Sequence, residues 1–452
     1  MNGFDFGARD SGPIFVIERK TMDAIGQMVH ASGQAYRAYR ACSLKDREKA
    51  IDAIRTGMKG SVMNLAEMSF KETGMGHPVD KARKIKLAVG KTPGIEDLGT
   101  EVLTNDDGMV LTEYASYGIV AAVHPCTNPI AVLVNATISA LAAGNAIIHC
   151  PHPRAYKCSQ LAVDLMNKSV RDCIGIDHLV AVLPSAGHRI TEELMNHPDV
   201  DMILVTGSDT ALSAAFRADK KVVGAGPANP PVIVDETADL DRAAADIAKS
   251  AGFDYNLMCV SEKAIVAIDR IAEPLLTAFA RQGVQVLNQE DMEKVEALLT
   301  NADGDINHKF EGRPLEEILK QAGVQYRYPA KLAVGEAQLN NLIVMKEIKV
   351  PVVPMVRMPD FKSALKAALQ IEQHNRHTAG IHSRSIERLE EAARVMGTSV
   401  FVKNAPFISA AGFDVDVPCA LSIANRTGEG PVSARHLAFR RRCVLAKGFQ
   451  LR

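Results

Sequence analysis

GIVAAV at 118–123, AIIH at 146–149, LVAVLP at 179–184, MILVTG at 202–207 and PPVIV at 230–234 are short apolar runs separated by stretches with helical spacing. Such alternation is the rhythm of a parallel sheet with crossover helices, because parallel neighbours need a long connection and a helix supplies it. Residues 117–234 therefore read as an open α/β unit. A second series runs from Ala264 to Phe401, with strands expected at AIVAI (264–268), VPVVPMV (350–356) and TSVFV (398–402) and helices such as Ile386 to Met396 between them.

Upstream, from about Glu18 to Ala88, apolar residues recur every three or four positions among Lys, Arg and Glu, as in Leu44 to Met68, which predicts helices. EVLTNDDGMVLTEYA at 101–115 changes to alternating apolar and polar residues around Asn-Asp-Asp-Gly, the pattern of a β-hairpin that protrudes as a dimerisation arm. No internal repeat or low-complexity segment interrupts the chain.

The 452 residues, 47% hydrophobic and 23% charged, suffice for two or three domains with their own cores. The 52 basic and 53 acidic side chains nearly cancel, so general attraction to nucleic acid or an anionic membrane has no support and small-molecule work is expected. Eight cysteines without a C-x-x-C spacing suggest a reducing compartment, with neither a disulfide framework nor a metal site. With no secretory leader in MNGFDFGARDSGPIFV and no apolar run of membrane-spanning length, a cytoplasmic location is expected, free or inside a cytoplasmic assembly.

Cys259, in FDYNLMCVSEKAIVAI, falls between a helical stretch and a buried strand. By itself it reads first as a small buried core residue, and only second as a reactive group facing a crevice between the two units. Its surroundings decide. HPCTNPIAVLVNATISALAAGNAIIHCPHPRA (124–154), VTGSDTALSAAF (205–216), GAGPANPPVIVDETADL (224–240) and then Cys259 resemble the aldehyde dehydrogenase superfamily in order and spacing. MKEIKVPVVPMVR, NRHTAGIHS, FVKNAP and TGEGPVSARHLAFRRRCVL resemble the coenzyme-A-acylating propionaldehyde and acetaldehyde dehydrogenases of diol and ethanolamine breakdown. The resemblance spans about residues 20–452.

It implies an aldehyde dehydrogenase-like fold, with two open α/β domains and a small β oligomerisation arm. The cofactor-binding domain would take residues 1–98 and 117–236, the catalytic domain 237–430, and the oligomerisation segments 99–116 and 431–452. It also implies a nucleophilic Cys259 thiolate and an oxyanion held by the Cys259 backbone N–H and Asn128, although an Asn before Pro is also a common turn residue. Thr206, Gly207 and Ser208 open a helix after a strand and would face the cofactor pyrophosphate. Glu347 would meet the nicotinamide ribose hydroxyls, or be a solvated surface glutamate. His377 would take the acceptor thiol's proton or simply be satisfied by backbone groups, with His382 a weaker candidate.

Two departures from the hydrolytic enzymes matter. Their general base sits in Glu-Leu-Gly-Gly, whereas Gly224-Ala225-Gly226-Pro227 carries no carboxylate, so a thiol, which ionises far more readily than water, is expected to release the acyl group. Their Lys and Glu for the adenine ribose are replaced by Cys150-Pro151-His152-Pro153, an adenosine pocket at Pro151 and His152 expected to take NAD and coenzyme A in turn. NAD is favoured and NADP left open, since no basic residue awaits a 2′-phosphate. Arg440-Arg441-Arg442 would touch coenzyme A phosphates or pair with acidic groups across a subunit boundary. A homodimer or homotetramer follows from the resemblance. Microcompartment cargo is an expectation of the same kind; such members often carry an extra N-terminal targeting helix, and the sequence begins close to the core fold, as expected of a chain that is not encapsulated or of one whose targeting segment was lost or removed. The rivals are a hydrolytic enzyme with another base, an acylating enzyme for a semialdehyde or sulfoaldehyde, and a non-catalytic assembly protein on the same fold.

Overall fold

The computed structural model describes residues 13–207 and 209–447. The helical beginning is four helices, α1 (Pro13–Arg40), α2 (Leu44–Lys59), α3 (Val62–Thr73) and α4 (Pro78–Lys91). Ser43 starts α2 with a capping box: its hydroxyl accepts the Asp46 N–H at 3.2 Å and the Asp46 carboxylate accepts the Ser43 N–H, satisfying donors the helix leaves free.

The first sheet contains β3 (Ile119–Val123), β4 (Ala146–Cys150), β5 (Val180–Val182), β6 (Met202–Thr206) and β7 (Lys221–Ala225), ordered β5-β4-β3-β6-β7 and all parallel. After β3 the chain enters α5 (Pro129–Ala142), every residue of which is buried, as an apolar sequence all round a helix requires. The second sheet is also all parallel. It contains β8 (Pro231–Val234), β9 (Ala264–Ile268), β10 (Gln285–Leu287), β11 (Ala333–Glu336), β12 (Val352–Met358), β13 (Thr378–His382) and β14 (Val400–Lys403), ordered β10-β11-β12-β9-β8-β13-β14. The sequence reading counted PPVIV as the last strand of the first series. It is instead a central strand of the second sheet, pairing Pro231 with Ala264 and Val232 with Gly380. An apolar run states that a strand is buried and leaves open which sheet buries it.

The hairpin forms as expected from β1 (Glu101–Asn105) and β2 (Gly108–Ser116), and β17 (Ala438–Ala446) lies antiparallel along β2 to complete a three-stranded arm. A small β15–β16 ladder (Ile423–Ala424 with Gly430–Pro431) precedes it.

Strand order locates the working edge. From β3 the chain steps to β4 on one side, then returns to β6 on the other, so the crevice at their carboxyl ends is a topological switch point. From the carboxyl end of β7 at Ala225 to the amino end of β8 at Pro231 there are few residues, a reach of about 20 Å at full extension. The carboxyl edge of the first sheet and the amino edge of the second are thereby brought near each other.

Candidate active site

Cys259 stands five residues before β9, at that amino edge. The turn before it is built against ordinary backbone preference: Asp254, Tyr255 and Asn256 have φ of 47°, 55° and 61°, a left-handed run of side-chain-bearing residues that persists only where its surroundings hold it. Both ends are held by buried lysines. Lys263 donates to the Asn256 backbone oxygen at 2.5 Å, to Asn256 Oδ1 at 2.9 Å and to the Met258 oxygen at 3.1 Å. The Asp254 carboxylate accepts the His77 N–H at 2.6 Å and a bond from Lys84 Nζ, with Lys81 Nζ at 3.8 Å. Gly76, at φ 77°, makes room for this: a Cβ there would lie 2.3 Å from Asp254 Oδ1.

The thiol is half-buried and packs on the core of the first unit, so the nucleophile loop is seated across both units. Burial pushes its pKa up to about 11, the nearby Glu347 carboxylate adds to the rise, and Lys263 and the Cys259 backbone N–H oppose it. Burial also brings Lys263 down to about 8.

Asn128 caps α5 without a side-chain cap bond. Its Oδ1 accepts from Lys84 Nζ, and its Nδ2 reaches Thr127 Oγ1 only at 3.4 Å. Lys81 Nζ donates to the Thr127 carbonyl at 3.1 Å. The structure thus ties Asn128 to the Asp254 turn through a single ammonium.

Glu347 lies between the short helix Leu342–Met345 and β12. One carboxylate oxygen is 3.4 Å from Lys349 Nζ, while the other, Oε1, is buried with no hydrogen-bond partner among the described residues. An orphaned buried acceptor is costly, and ribose hydroxyls are donors; the residues fit a nicotinamide dinucleotide here. Pro151 and His152 follow β4 at the carboxyl edge, with His152 Nδ1 accepting the Arg154 N–H at 3.1 Å.

The remaining candidate residues have these partners. The Thr206 hydroxyl pairs with Ser422 Oγ at 2.6 Å, and the Gly207 N–H is directed at the Ala225 oxygen, 3.4 Å away; Ser208 lies outside the described residues. His377 precedes β13, on the same edge as Cys259. It is buried, its Nδ1 pairs with Thr378 Oγ1 at 2.9 Å, and burial with the nearby Lys263 lowers its pKa to about 3. The imidazole is therefore neutral but holds a proton weakly. His382 ends β13 at the opposite edge. Arg440 pairs with Glu101 within the arm, on the same strand as Arg441 and Arg442.

The Gly224–Pro227 stretch is occupied by backbone and amide groups. The Gly224 N–H donates to Thr427 Oγ1 at 2.9 Å, the Gly226 N–H to Asn425 Oδ1 at 2.8 Å, and a Cβ on Gly226 would meet Arg426 Cγ at 2.6 Å. No carboxylate occupies the stretch itself.

The aldehyde dehydrogenase family pattern matches residues 8–413. This chain belongs to that family. It is 40% identical over 432 residues to a propanal dehydrogenase (CoA-propanoylating) of Salmonella typhimurium, covering 95% of this chain and 92% of that protein. It superposes with a TM-score of 0.92, at 35% identity, on a propionaldehyde dehydrogenase from the Clostridium phytofermentans fucose utilisation bacterial microcompartment, covering 95% of this chain and 98% of that one. With a Rhodopseudomonas palustris propionaldehyde dehydrogenase carrying bound coenzyme A and an acylated cysteine, the TM-score is 0.93 at 34% identity, covering 95% and 98%.

Sequence reasoning missed Lys81, Lys84, Asp254 and Lys263. A signal existed for the first two: in α4, positions 81, 84, 85 and 88 form one helical face, all buried, so two lysines sit where the repeat calls for apolar residues. Asp254 and Lys263 carry no such local mark.

Proposed function

We infer that this aldehyde dehydrogenase oxidises a short-chain aldehyde, propionaldehyde or acetaldehyde, with NAD and coenzyme A to acyl-CoA and NADH. The observation that carries the acylating reading is a half-buried Cys259 at the crevice, together with a Gly224–Pro227 stretch that carries no carboxylate. The Cys259 thiolate attacks the aldehyde carbon, and the Cys259 N–H and Asn128 Nδ2 receive the oxyanion. NAD, when bound, supplies the hydride acceptor. Glu347 Oε1 orients the ribose, and Pro151 and His152 border the adenosine pocket. Loss of hydride leaves a thioester on Cys259; coenzyme A attacks its carbonyl, the Cys259 sulfur leaves, and the thiol proton goes to His377 or to solvent. With a conjugate acid near 3, His377 passes that proton on rather than keeping it.

We divide the chain at its crossing between sheets, 226–230, rather than at 236: residues 1–98 and 117–225 for cofactor binding and 231–430 for catalysis, supported by the pairing of Pro231–Val234 with β9 and β13. The arm at 99–116 and 431–452 joins subunits into a dimer or tetramer, supported by exposed Leu103, Val102 and Val444 on its strands. Among the described residues no helix is long and apolar enough to cross a membrane. A cytoplasmic site, within a microcompartment or free, accords with the source of the Clostridium neighbour.

The test is NADH formation from propionaldehyde and NAD with and without coenzyme A, on the native chain and Cys259→Ala. Steady turnover only with coenzyme A, abolished in the variant, is expected. Steady turnover without a thiol would make the enzyme hydrolytic.

A further inference from the structure

Lys84 is 1% exposed on the buried face of α4, in a position where a leucine would pack at no electrostatic cost. A buried ammonium is tolerated only when its donors are matched by acceptors. Two oxygens match it here: Asn128 Oδ1, from the loop after β3, and Asp254 Oδ2, from the left-handed turn before Cys259.

The chemistry of the ammonium fixes the geometry of the amide. Lysine has three donors and no acceptor, so only the carbonyl side of Asn128 can face it; a flipped amide would set NH₂ against NH₃⁺. The NH₂ group therefore points away from Lys84, and its one protein contact is the long 3.4 Å approach to Thr127 Oγ1, which leaves an N–H for another acceptor. The same ammonium anchors Asp254, five residues before the nucleophile, with the His77 N–H and Lys81 sharing the carboxylate. One side chain thus references both parts of an oxyanion site to each other.

We propose that Lys84 is a positioning residue for the oxyanion site, setting the amide orientation of Asn128 and the place of the Cys259 turn through its bonds to Asn128 Oδ1 and Asp254 Oδ2. This rests on Cys259 being an acyl-accepting nucleophile. Lys84, 1% exposed, acts through the two oxyanion donors, Asn128 Nδ2 and the Cys259 N–H, so its replacement should lower the maximal rate of acylation and leave binding almost unchanged.

The probe is 4-nitrophenyl acetate, which needs no cofactor: the Cys259 sulfur attacks the ester carbonyl through an oxyanion, 4-nitrophenolate leaves, and an acetyl thioester remains. Lys84→Met is expected to reduce the maximal burst rate about 10²-fold, with half-saturation changed by less than about threefold. Alkylation of Cys259 by iodoacetamide passes through no oxyanion and should change by less than about threefold in the same variant. In an Asn128→Ala background, adding Lys84→Met should cost clearly less than the about 10²-fold it costs in the native chain, because one of the two oxyanion donors it positions is already gone. Lys84→Arg, which keeps the donors, should restore at least a tenth of the native rate. If Lys84→Met does not fold, Lys84→Gln, which reaches only one of the two oxygens, must show the same split between acylation and alkylation. Parallel losses in acylation and alkylation, an equal factor in both Asn128 backgrounds, or no burst from the native chain would overturn the proposal. Native coenzyme-A-dependent NADH formation is read separately: its absence beside an intact, Lys84-dependent burst would overturn the dehydrogenase reading and leave Lys84 in its role.

Discussion

At the scale of single residues, the Cys259 thiol sits beside a carboxylate that opposes its ionisation. Burial is the larger cause of its pKa near 11 and Glu347 the second. Replacing Glu347 by Gln removes a like charge, so the thiol pKa must fall and the thiolate fraction at pH 8 must rise. Iodoacetamide should then alkylate Cys259 several-fold faster in Glu347→Gln than in the native chain at pH 8. The KM for NAD should rise about tenfold, since a charged acceptor for the ribose hydroxyls becomes a neutral one. Unchanged alkylation would mean the carboxylate does not act on the thiol. The sequence made Cys259 and Glu347 visible because each lies in a short recognisable segment. Lys84 was invisible as a partner of Asn128 and Asp254, which are 44 and 170 residues away.

At the scale of elements, a buried histidine pair lies behind the site, His124 just after β3 and His149 within β4. His124 Nε2 and His149 Nδ1 are 2.7 Å apart, and His149 Nε2 is 3.0 Å from Thr137 Oγ1 in α5. Burial lowers the His124 pKa to about 3 and that of His149 well below its ordinary value, so both are neutral when folded. In the unfolded chain they take up protons below about pH 6.5. The unfolded state therefore binds more protons as pH falls through that value, and the contribution of the neutral pair is lost progressively toward pH 3. The urea midpoint should drop between pH 7.5 and 5, and less steeply in His124→Gln; parallel profiles would show that the pair does not titrate on unfolding. Elements themselves were largely legible: the helix Ile386–Met396 and the hairpin form where periodicity and turn residues place them. The strand at Pro231–Val234 was assigned to the wrong sheet, and the three-residue strand Gln285–Leu287 is too short to carry a pattern.

At the scale of the whole molecule, two separate parallel sheets are linked by the short connection 226–230, and a three-stranded arm carries exposed apolar side chains. Leu103 is 72% exposed and Val444 65%, on β1 and β17. Exposed branched residues on a small sheet are covered when another subunit lies against it. For the dimer or tetramer proposed above, Leu103→Asp with Val444→Asp is expected to shift sedimentation toward the monomer while the far-ultraviolet circular dichroism stays native. An unchanged sedimentation coefficient would place the subunit contact elsewhere.

The sequence by itself determined the α/β class, the hairpin at 101–115 and the absence of a carboxylate at Gly224–Pro227, because each depends on local periodicity or on residues contiguous in the chain, and it singled out Cys259 as the candidate nucleophile by resemblance. Tertiary structure alone decided which sheet owns Pro231–Val234, that Thr206 pairs with Ser422, and that Lys84 joins Asn128 to the Cys259 turn. Those facts are hydrogen bonds between residues far apart in sequence, and a buried polar group takes whichever partner the packed chain brings within reach.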